Sequence, residues 1–441
     1  MILESDLAAI IARQREIEEK KSLGQIRPLD FNDVLLDSHA LDITGVRRCG
    51  KSTIMRQRMR GSEEPWFYVN FESPLLTQFE LRDTVRLDSL IDKSGAKRLF
   101  FDEVDQLTGW EKYVRQKLDE GFRVCVSGSN ASLLEGEIST KLTGRHISKE
   151  LFPFSYGEYL AFTGQDRSPE SAAYYVHDGG FPRYLQTHEE IVLQELFDDI
   201  VYRDVVVHNK IRDVSAVREL SAYLVENVGC RFTASKMLRP LNVASASTVT
   251  QWCEWLEKAY LFFFVPIFSD SEKSRLLNPK KVYCVDTGLE YAVSSRRIPN
   301  DGARFENMVY LALRRRCCDI SYFDEDGECD FIVRSRHAVA CAIQACMRIT
   351  DETKDREIEG LVRAMEVCSL DSGTIVTESQ RDTISVGNRR IEVVPFCEWE
   401  ATLGDLHKIQ VSCSRHAGHD AKEVGRYGWR ISQRRRHAPT T

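Results

Sequence analysis

At 441 residues the chain is long enough for two or three domains, each with its own core. Its 42% hydrophobic and 29% charged residues are ordinary for a globular protein and force no long disorder. The net charge of −7 argues against broad nonspecific adhesion to nucleic acid.

The longest aromatic-aliphatic run, Leu261-Phe-Phe-Phe-Val-Pro-Ile-Phe268, is far short of a bilayer span and is broken by Pro266, so no membrane partner is expected. The N-terminus is polar and charged within a few residues of Met1, with no apolar signal region, and a cytoplasmic location is the expectation. Thirteen cysteines occur as singles and one Cys317-Cys318 pair, without C-x-x-C spacing. They read as reduced core residues rather than zinc ligands or a disulfide framework.

Residues 1–21 are expected to hold an N-terminal amphipathic helix, with Leu7, Ile10, Ile11 and Ile17 at helical spacing. Residues 22–160 then read as an α/β nucleotide-binding core. Ala40-Leu-Asp-Ile-Thr44 is an apolar run fit for a buried strand, and Thr53-Ile-Met-Arg-Gln57 reads as the start of a helix. Between them Gly45-Val46-Arg47-Arg48-Cys49-Gly50-Lys51-Ser52 matches the phosphate-cradling P-loop pattern in full. Strand, loop and helix in that order imply a nucleoside triphosphate, because backbone N–H groups and the positive end of the helix favour a polyphosphate. Gly45 to Thr53 are thus the nucleotide-binding residues, with ATP and Mg²⁺ the expected ligands. Lys51 would reach the β- and γ-phosphates, and the Ser52 hydroxyl would hold Mg²⁺. Cys49, a thiol beside two arginines, reads either as a space-filler or as a thiol of lowered pKa.

Arg98-Leu-Phe-Phe-Asp-Glu-Val-Asp105 begins as an apolar strand and ends in acids, the Walker B arrangement. Asp102 is placed to hold Mg²⁺ through water, and Glu103 to polarise an attacking water. The next strand, Phe122 to Ser127, runs into Gly128-Ser-Asn-Ala131, which resembles the strand tip where AAA-type enzymes place a polar sensor; the resemblance implies that Asn130, with Ser129 in reserve, would orient that water or touch the γ-phosphate. Arg145, in Leu142-Thr-Gly-Arg145, could neutralise transition-state charge in cis or in trans, and could equally be a surface arginine.

These motifs continue in one order through Val69-Asn-Phe-Glu72, Gly109-Trp-Glu111, Leu151-Phe-Pro-Phe-Ser-Tyr-Gly-Glu-Tyr-Leu160, Gly179-Gly-Phe-Pro182, Tyr283-Cys-Val-Asp-Thr-Gly288, Phe305-Glu-Asn307 and Glu328-Cys-Asp-Phe331. In this the chain resembles prokaryotic ATPases that pair an AAA-type domain with a C-terminal domain of unknown function. The resemblance covers roughly residues 20–400. It implies ATP binding in a cytoplasmic protein and a parallel-sheet P-loop core of the AAA+ kind. Residues 161–212 fit the helical lid that such modules pack over the nucleotide.

Residues 213–300 then show a periodic helix from Val214 to Val228, a short one from Ser235 to Leu241 and a third to Lys258 opening with Ser245. Two apolar strands follow, Leu261 to Phe268 and Lys281 to Val285, joined by a basic hairpin. Three helices and a wing predict a winged-helix unit, in which Lys273, Arg275, Lys280 and Lys281 would suit DNA phosphates better than the cation-poor third helix.

Residues 301–400 suggest a restriction-endonuclease-like α/β domain. Glu306 on a helix, Asp330 on a strand and Gln344 on the next strand occupy metal-ligand places, but Cys346 stands where the catalytic lysine belongs. A degenerate, inactive nuclease site is the expectation, with an ordinary α/β domain as the alternative. Residues 401–441 form a tail, basic and read as disordered from 414, with seven Lys/Arg against Asp420 and Glu423. Together the readings predict an ATPase that hydrolyses ATP as a conformational switch for a macromolecular partner, protein or DNA, with oligomerisation possible. A nucleotide-regulated DNA-binding protein or nuclease is the alternative.

Overall fold

Asp102 and Lys51 are brought to one edge of a five-stranded parallel sheet by the order in which its strands are laid down. A computed structural model describes residues 2–27, 33–129, 145–296, 300–317, 319–335 and 338–403. Strands β1 (Ala40–Thr44), β2 (Trp66–Asn70), β3 (Arg98–Asp102), β4 (Arg123–Gly128) and β5 (His146–Glu150) pair in the order β2-β3-β4-β1-β5. One strand, β4, therefore separates the P-loop strand from the acid strand. Every strand runs the same way, so the loops after β1 and β3 emerge at the same edge.

The sheet is covered by helices α1 (Glu4–Lys20), α2 (Lys51–Arg60), α3 (Thr84–Ser94) and α4 (Trp110–Asp119). Leu7 and Ile11 of α1 join a buried cluster with Val69, Phe101 and Val126, which is why the N-terminal periodicity is helical. A buried ion pair, Arg56 to Glu18 at 2.8 Å, fastens α1 to α2.

After β5 the chain turns helical: α5 (Tyr156–Thr163), α6 (Pro169–Asp178), α7 (Pro182–Thr187), α8 (Ile191–Asp199) and a π-helical stretch, Ile200–Val207. Ser155 and Ser168 open α5 and α6 with reciprocal capping boxes. The Gly179-Gly180 turn has a specific reason. A Cβ on Gly179, at φ +69°, would lie 2.1 Å from the Asp286 carboxylate, and the Gly180 N–H donates to the same side chain at 2.6 Å. Two sequence motifs a hundred residues apart in the chain are thus one interlocked turn. Burial pushes the Asp286 carboxyl up to about 6.

Next come α9 (Val214–Glu226), β6 (Arg231–Phe232), a 3₁₀ turn at Ala234–Met237, α10 (Ala246–Lys258) capped by Ser245, and β7 (Phe262–Val265). Between β7 and β8 (Lys280–Cys284) lies a short helix, α11 (Glu272–Leu277), where a basic hairpin was expected. Ser271 accepts a hydrogen bond from the Ser274 N–H and so starts that helix. The three strands form an antiparallel sheet, β6-β8-β7.

Helix α12 (Thr287–Val293) leads to α13 (Asp301–Arg314) and a mixed six-stranded sheet ordered β13-β14-β12-β11-β10-β9. Its strands are β9 (Ile320–Asp324), β10 (Glu328–Ser335), β11 (Ala338–Ala345), β12 (Ser372–Thr377), β13 (Asp382–Val386) and β14 (Arg389–Pro395), with α14 (Lys354–Val367) packed on one face and α15 (Phe396–Thr402) closing the described chain. Among the described residues no helix is long and apolar enough to cross a membrane. Asn130 and the tail beyond 403 lie outside the described residues.

Candidate nucleotide site and a buried charge cluster

The P-loop begins where β1 ends. A Cβ on Gly45 would sit 2.0 Å from the Leu151 carbonyl oxygen, so only glycine lets the loop pass β5 so closely. Gly50, at φ +113°, turns the chain into α2, and Lys51 is that helix's first residue, with Ser52 and Thr53 following in its first turn. Arg27 holds the loop from outside. It donates to the Cys49 carbonyl at 2.9 Å and the Phe152 carbonyl at 3.0 Å, and pairs with Glu158 at 2.6 Å.

Lys51 is buried, and its Nζ donates to the Gly45 and Val46 carbonyls at 3.0 and 3.3 Å. It also lies 3.5 Å from Glu103 Oε1. Burial works against its charge, yet the Glu103, Cys49 and Asp102 groups more than offset this and raise the ammonium above the ordinary lysine range. Burial likewise raises Glu103, with Lys51 pulling it back, and pushes Asp105 up to about 7, the neighbouring Glu103 charge adding to the effect. Glu103 Oε2 and Asp105 Oδ1 are buried without a hydrogen-bond partner. Orphaned acceptors and a folded-back lysine at a helix N-terminus are a donor and acceptor set that fits a metal–polyphosphate. Cys49 is wholly buried, and burial raises its thiol, so it is a space-filler and not an activated nucleophile.

Val46 is buried in the loop, while Arg47 and Arg48 face the helical segment after β5. Arg47 forks onto Asp204 of the π-helical stretch, Nη2 to Oδ1 at 2.8 Å and Nε to Oδ2 at 3.0 Å, and also reaches Glu72 at 2.8 Å. Arg48 pairs with Asp199 at 3.0 Å. The helical segment therefore grips the P-loop by its two arginines, a role invisible in the loop pattern.

Asp102 is fully buried and hydrogen-bonded by two side chains the sequence reading passed over, Tyr68 at 2.9 Å and Ser127. Arg145 lies elsewhere. Its carbonyl accepts from the Ala40 N–H at the start of β1, and its guanidinium pairs with Asp119 at the end of α4. That is the edge of the sheet opposite the P-loop, so the arginine cannot act on its own chain's nucleotide from this position.

The C-terminal acids tell a different story from the sequence. Lys281, expected on an exposed wing, is buried with its Nζ 2.8 Å from Asp330, 2.9 Å from Glu328 and 3.1 Å from Glu306. Burial opposes its charge, but the three carboxylates raise it well above the usual value. Tyr283 donates to Glu306 at 2.6 Å, and burial with the Asp330 charge pushes Glu306 up to about 7. Gln344 is spent on structure: its Oε1 accepts from the Asp330 N–H at 3.1 Å and its Nε2 donates to Glu357 at 2.6 Å. An ammonium does stand among these acids, that of Lys281 on β8, and not one at position 346. Among the described residues no group of three or more His, Cys, Asp or Glu side chains is arranged to hold a metal ion.

Comparison with known proteins agrees with the P-loop core. Residues 37–160 match the AAA domain family, and residues 169–299 match a domain of unknown function, DUF8612. An uncharacterized protein of Methanocaldococcus jannaschii is 29% identical over 405 residues, which span 85% of this chain and 90% of the relative. One from Haemophilus influenzae is 28% identical over 377 residues, 79% of this chain and 90% of the relative. Among solved structures, a Walker-type ATPase of Pyrococcus abyssi aligns over 59% of this chain and 93% of its own at 14% identity and a TM-score of 0.39. The RuvB Holliday junction branch migration motor of Thermotoga maritima aligns over 52% and 82% at 16% identity and a TM-score of 0.29. With its P-loop and acid strand, the chain carries an AAA domain over residues 37–160, followed over residues 169–299 by a match to a domain of unknown function.

Proposed function

We propose that the protein binds ATP with Mg²⁺ and hydrolyses it as a switch whose state is passed to the C-terminal modules and from there to a macromolecular partner. The observation that carries this reading is a double clamp on the strand that feeds the P-loop. Tyr260, before β7, donates to Thr44 Oγ1 at 3.0 Å, one residue from Gly45. Arg314, at the end of α13, forks onto Glu150 of β5 at 2.6 and 2.8 Å, and Glu150 pairs in register with Thr44. Helix α13 also carries Glu306, so one rigid element joins the rim of the P-loop to the buried charge cluster.

In this scheme the N–H groups of Gly45 to Thr53 and the Lys51 ammonium hold the phosphates, Lys51 giving up its two carbonyl contacts. Ser52 and Asp102 would hold Mg²⁺, which supplies charge neutralisation when bound. Glu103 orients the water, its free Oε2 being the acceptor available for that proton. Arg47, tied to Asp204, is drawn toward an incoming phosphate and so reports occupancy to the helical segment 161–212, which we read as the lid.

We read residues 213–300 as a winged-helix unit and 301–400 as an endonuclease-like fold without nuclease activity. Lys281 fills the place of a cation among the acids, with Lys281 and Asp330 buried and Glu328 at the exposed rim. The DNA-binding alternative loses one of its four expected wing cations to that burial. Phosphate release by the wild type, Lys51→Ala and Glu103→Gln forms tests the proposal. Lys51→Ala is expected to lose ATP binding, and Glu103→Gln to retain ATP with turnover lost. Wild-type turnover in Glu103→Gln would assign the catalytic acid elsewhere.

A further inference from the structure

The two consecutive acids at the end of β3 are fixed by one hydroxyl on the neighbouring strand. Ser127, fully buried near the end of β4, donates its Oγ–H to Asp102 Oδ1 and accepts the Glu103 N–H at 3.1 Å. A serine hydroxyl has one hydrogen to give and lone pairs to receive, so both bonds are satisfied at once. The other Asp102 oxygen, Oδ2, accepts from Tyr68 OH at 2.9 Å. Burial and the Asp102 charge push the Tyr68 phenol far up, which keeps it a donor at all ordinary pH.

Glu103 needs this anchor. Its φ is +49°, a left-handed conformation that a glutamate rarely adopts and that persists only where its surroundings dictate it. In this twist Glu103 Oε1 stands 3.5 Å from Lys51 Nζ, while Asp102 stays buried behind it. With an extended backbone at 103, the two carboxylates would point to opposite faces of the strand, and Glu103 would not face Lys51. The Glu103 N–H donates to Ser127 Oγ, so the twist is pinned from β4.

We propose that Ser127 is the positioning residue of the hydrolytic site, with Tyr68 as its counterpart on β2: the serine holds Asp102 and Glu103 in the relative orientation that hydrolysis requires. The inference rests on the ATPase reading above. It assigns to the core of β4 a role expected of the loop residues Asn130 or Ser129.

The test compares wild type, Ser127→Ala, Ser127→Thr and Tyr68→Phe in three measurements: ATP turnover, affinity for a fluorescent ATP analogue, and hydrogen exchange of the Glu103 amide. Ser127→Ala is expected to lower kcat about a hundredfold, the scale of a misplaced catalytic group, with nucleotide affinity unchanged. Its Glu103 amide should exchange faster, because the acceptor is gone. Ser127→Thr, which keeps the hydroxyl, should recover most of kcat and the slow exchange. Tyr68→Phe keeps the ring and its packing, and should raise the Mg²⁺ concentration needed for half-maximal turnover without changing the Glu103 amide. If Ser127→Ala does not fold, the Thr and Phe variants decide the matter. Wild-type kcat in Ser127→Ala, or equal loss in Ser127→Ala and Ser127→Thr with unaltered amide exchange, overturns the positioning role while leaving the ATPase intact. A wild type that binds no nucleotide and releases no phosphate overturns both.

Discussion

Lys281 Nζ lies 2.8 Å from Asp330 Oδ1, although the two residues belong to different sheets. The lysine comes from β8 of the three-stranded sheet and the aspartate from β10 of the six-stranded one. A second seam runs beside it, where the Phe268 N–H donates to the Tyr322 carbonyl at 2.6 Å and the Tyr322 N–H to the Pro266 carbonyl at 3.0 Å. The ion cluster thus closes a junction between two modules.

Replacing that lysine leaves the Glu306 and Asp330 carboxylates without their cation, while the exposed Glu328 keeps Arg231. Lys281→Met is expected to destabilise the protein by about 3–5 kcal/mol, read as a lower midpoint in denaturant unfolding, since breaking a buried pair costs more than the pair contributes. The same measurement on Lys280→Met, a partly exposed neighbour, should show little change. Equal stability of the two variants would remove the junction role.

Arg47 of the P-loop is forked onto Asp204, the carboxylate with which an incoming phosphate would compete. The Asp204→Asn form is expected to bind ATP several-fold more tightly, about 1 kcal/mol, because the loop arginine is released and a carboxylate near Lys51 and Asp105 is removed. Titration with a fluorescent nucleotide measures this. Weaker binding would mean that the contact organises the site instead of restraining it.

Arg145 is predicted to be dispensable within one chain. From the far edge of the sheet, paired with Asp119, it contributes no more than a surface ion pair, under about 1 kcal/mol. Turnover of Arg145→Ala at low protein concentration should match wild type within about twofold, against the thousandfold or more lost when a true arginine finger is removed. A large loss that appears only as wild-type activity rises with concentration would place this arginine in a neighbouring subunit's site.

The pH dependence of stability should carry the mark of Asp42. This residue sits in the middle of β1, wholly buried, with Oδ2 receiving a 3.3 Å bond from Ser148 and Oδ1 without a partner. Burial pushes its carboxyl up to about 8. The folded state therefore keeps a proton that the unfolded chain has released, and stability is fully present below the unfolded value near 4 and is lost as pH rises toward 8. Over that range the loss is about 1.4 kcal/mol per pH unit from this group. Asp42→Asn should flatten the fall in melting temperature between pH 6 and about 8. An unchanged profile would show that Asp42 is ionised in the folded state.

The P-loop and acid strand were legible because their chemistry is local: β1, β3 and the loop between β1 and α2 occupy the residues their motifs mark out. Helix α1 likewise follows from its periodicity within a few residues, and Glu306 lies on a helix, α13, as expected. What escaped is long-range. Lys281 reads in sequence as one of several wing cations, and only the folding of β8 against α13 and β10 reveals it as a buried counter-ion. Ser127 and Tyr68 each lie in ordinary apolar strands, and their shared partner appears only when β2, β3 and β4 are set side by side. Asp204 and Asp199 lie in a segment rich enough in charge that no pattern singles them out. Arg145 carried a plausible motif, but the direction of β5 places it at the wrong edge.

The close approach of Gly45 to the Leu151 carbonyl leaves no slack between loop and edge strand. A loop that reshapes around a guest must therefore push β5 sideways or be pushed by it. Because Glu150 precedes Leu151 and is forked to Arg314, that displacement has a ready lever arm in α13. Under the proposed switch, traffic along it would run both ways: a partner that tugs on the far end of α13 would loosen or tighten the grip on the guest without ever touching it.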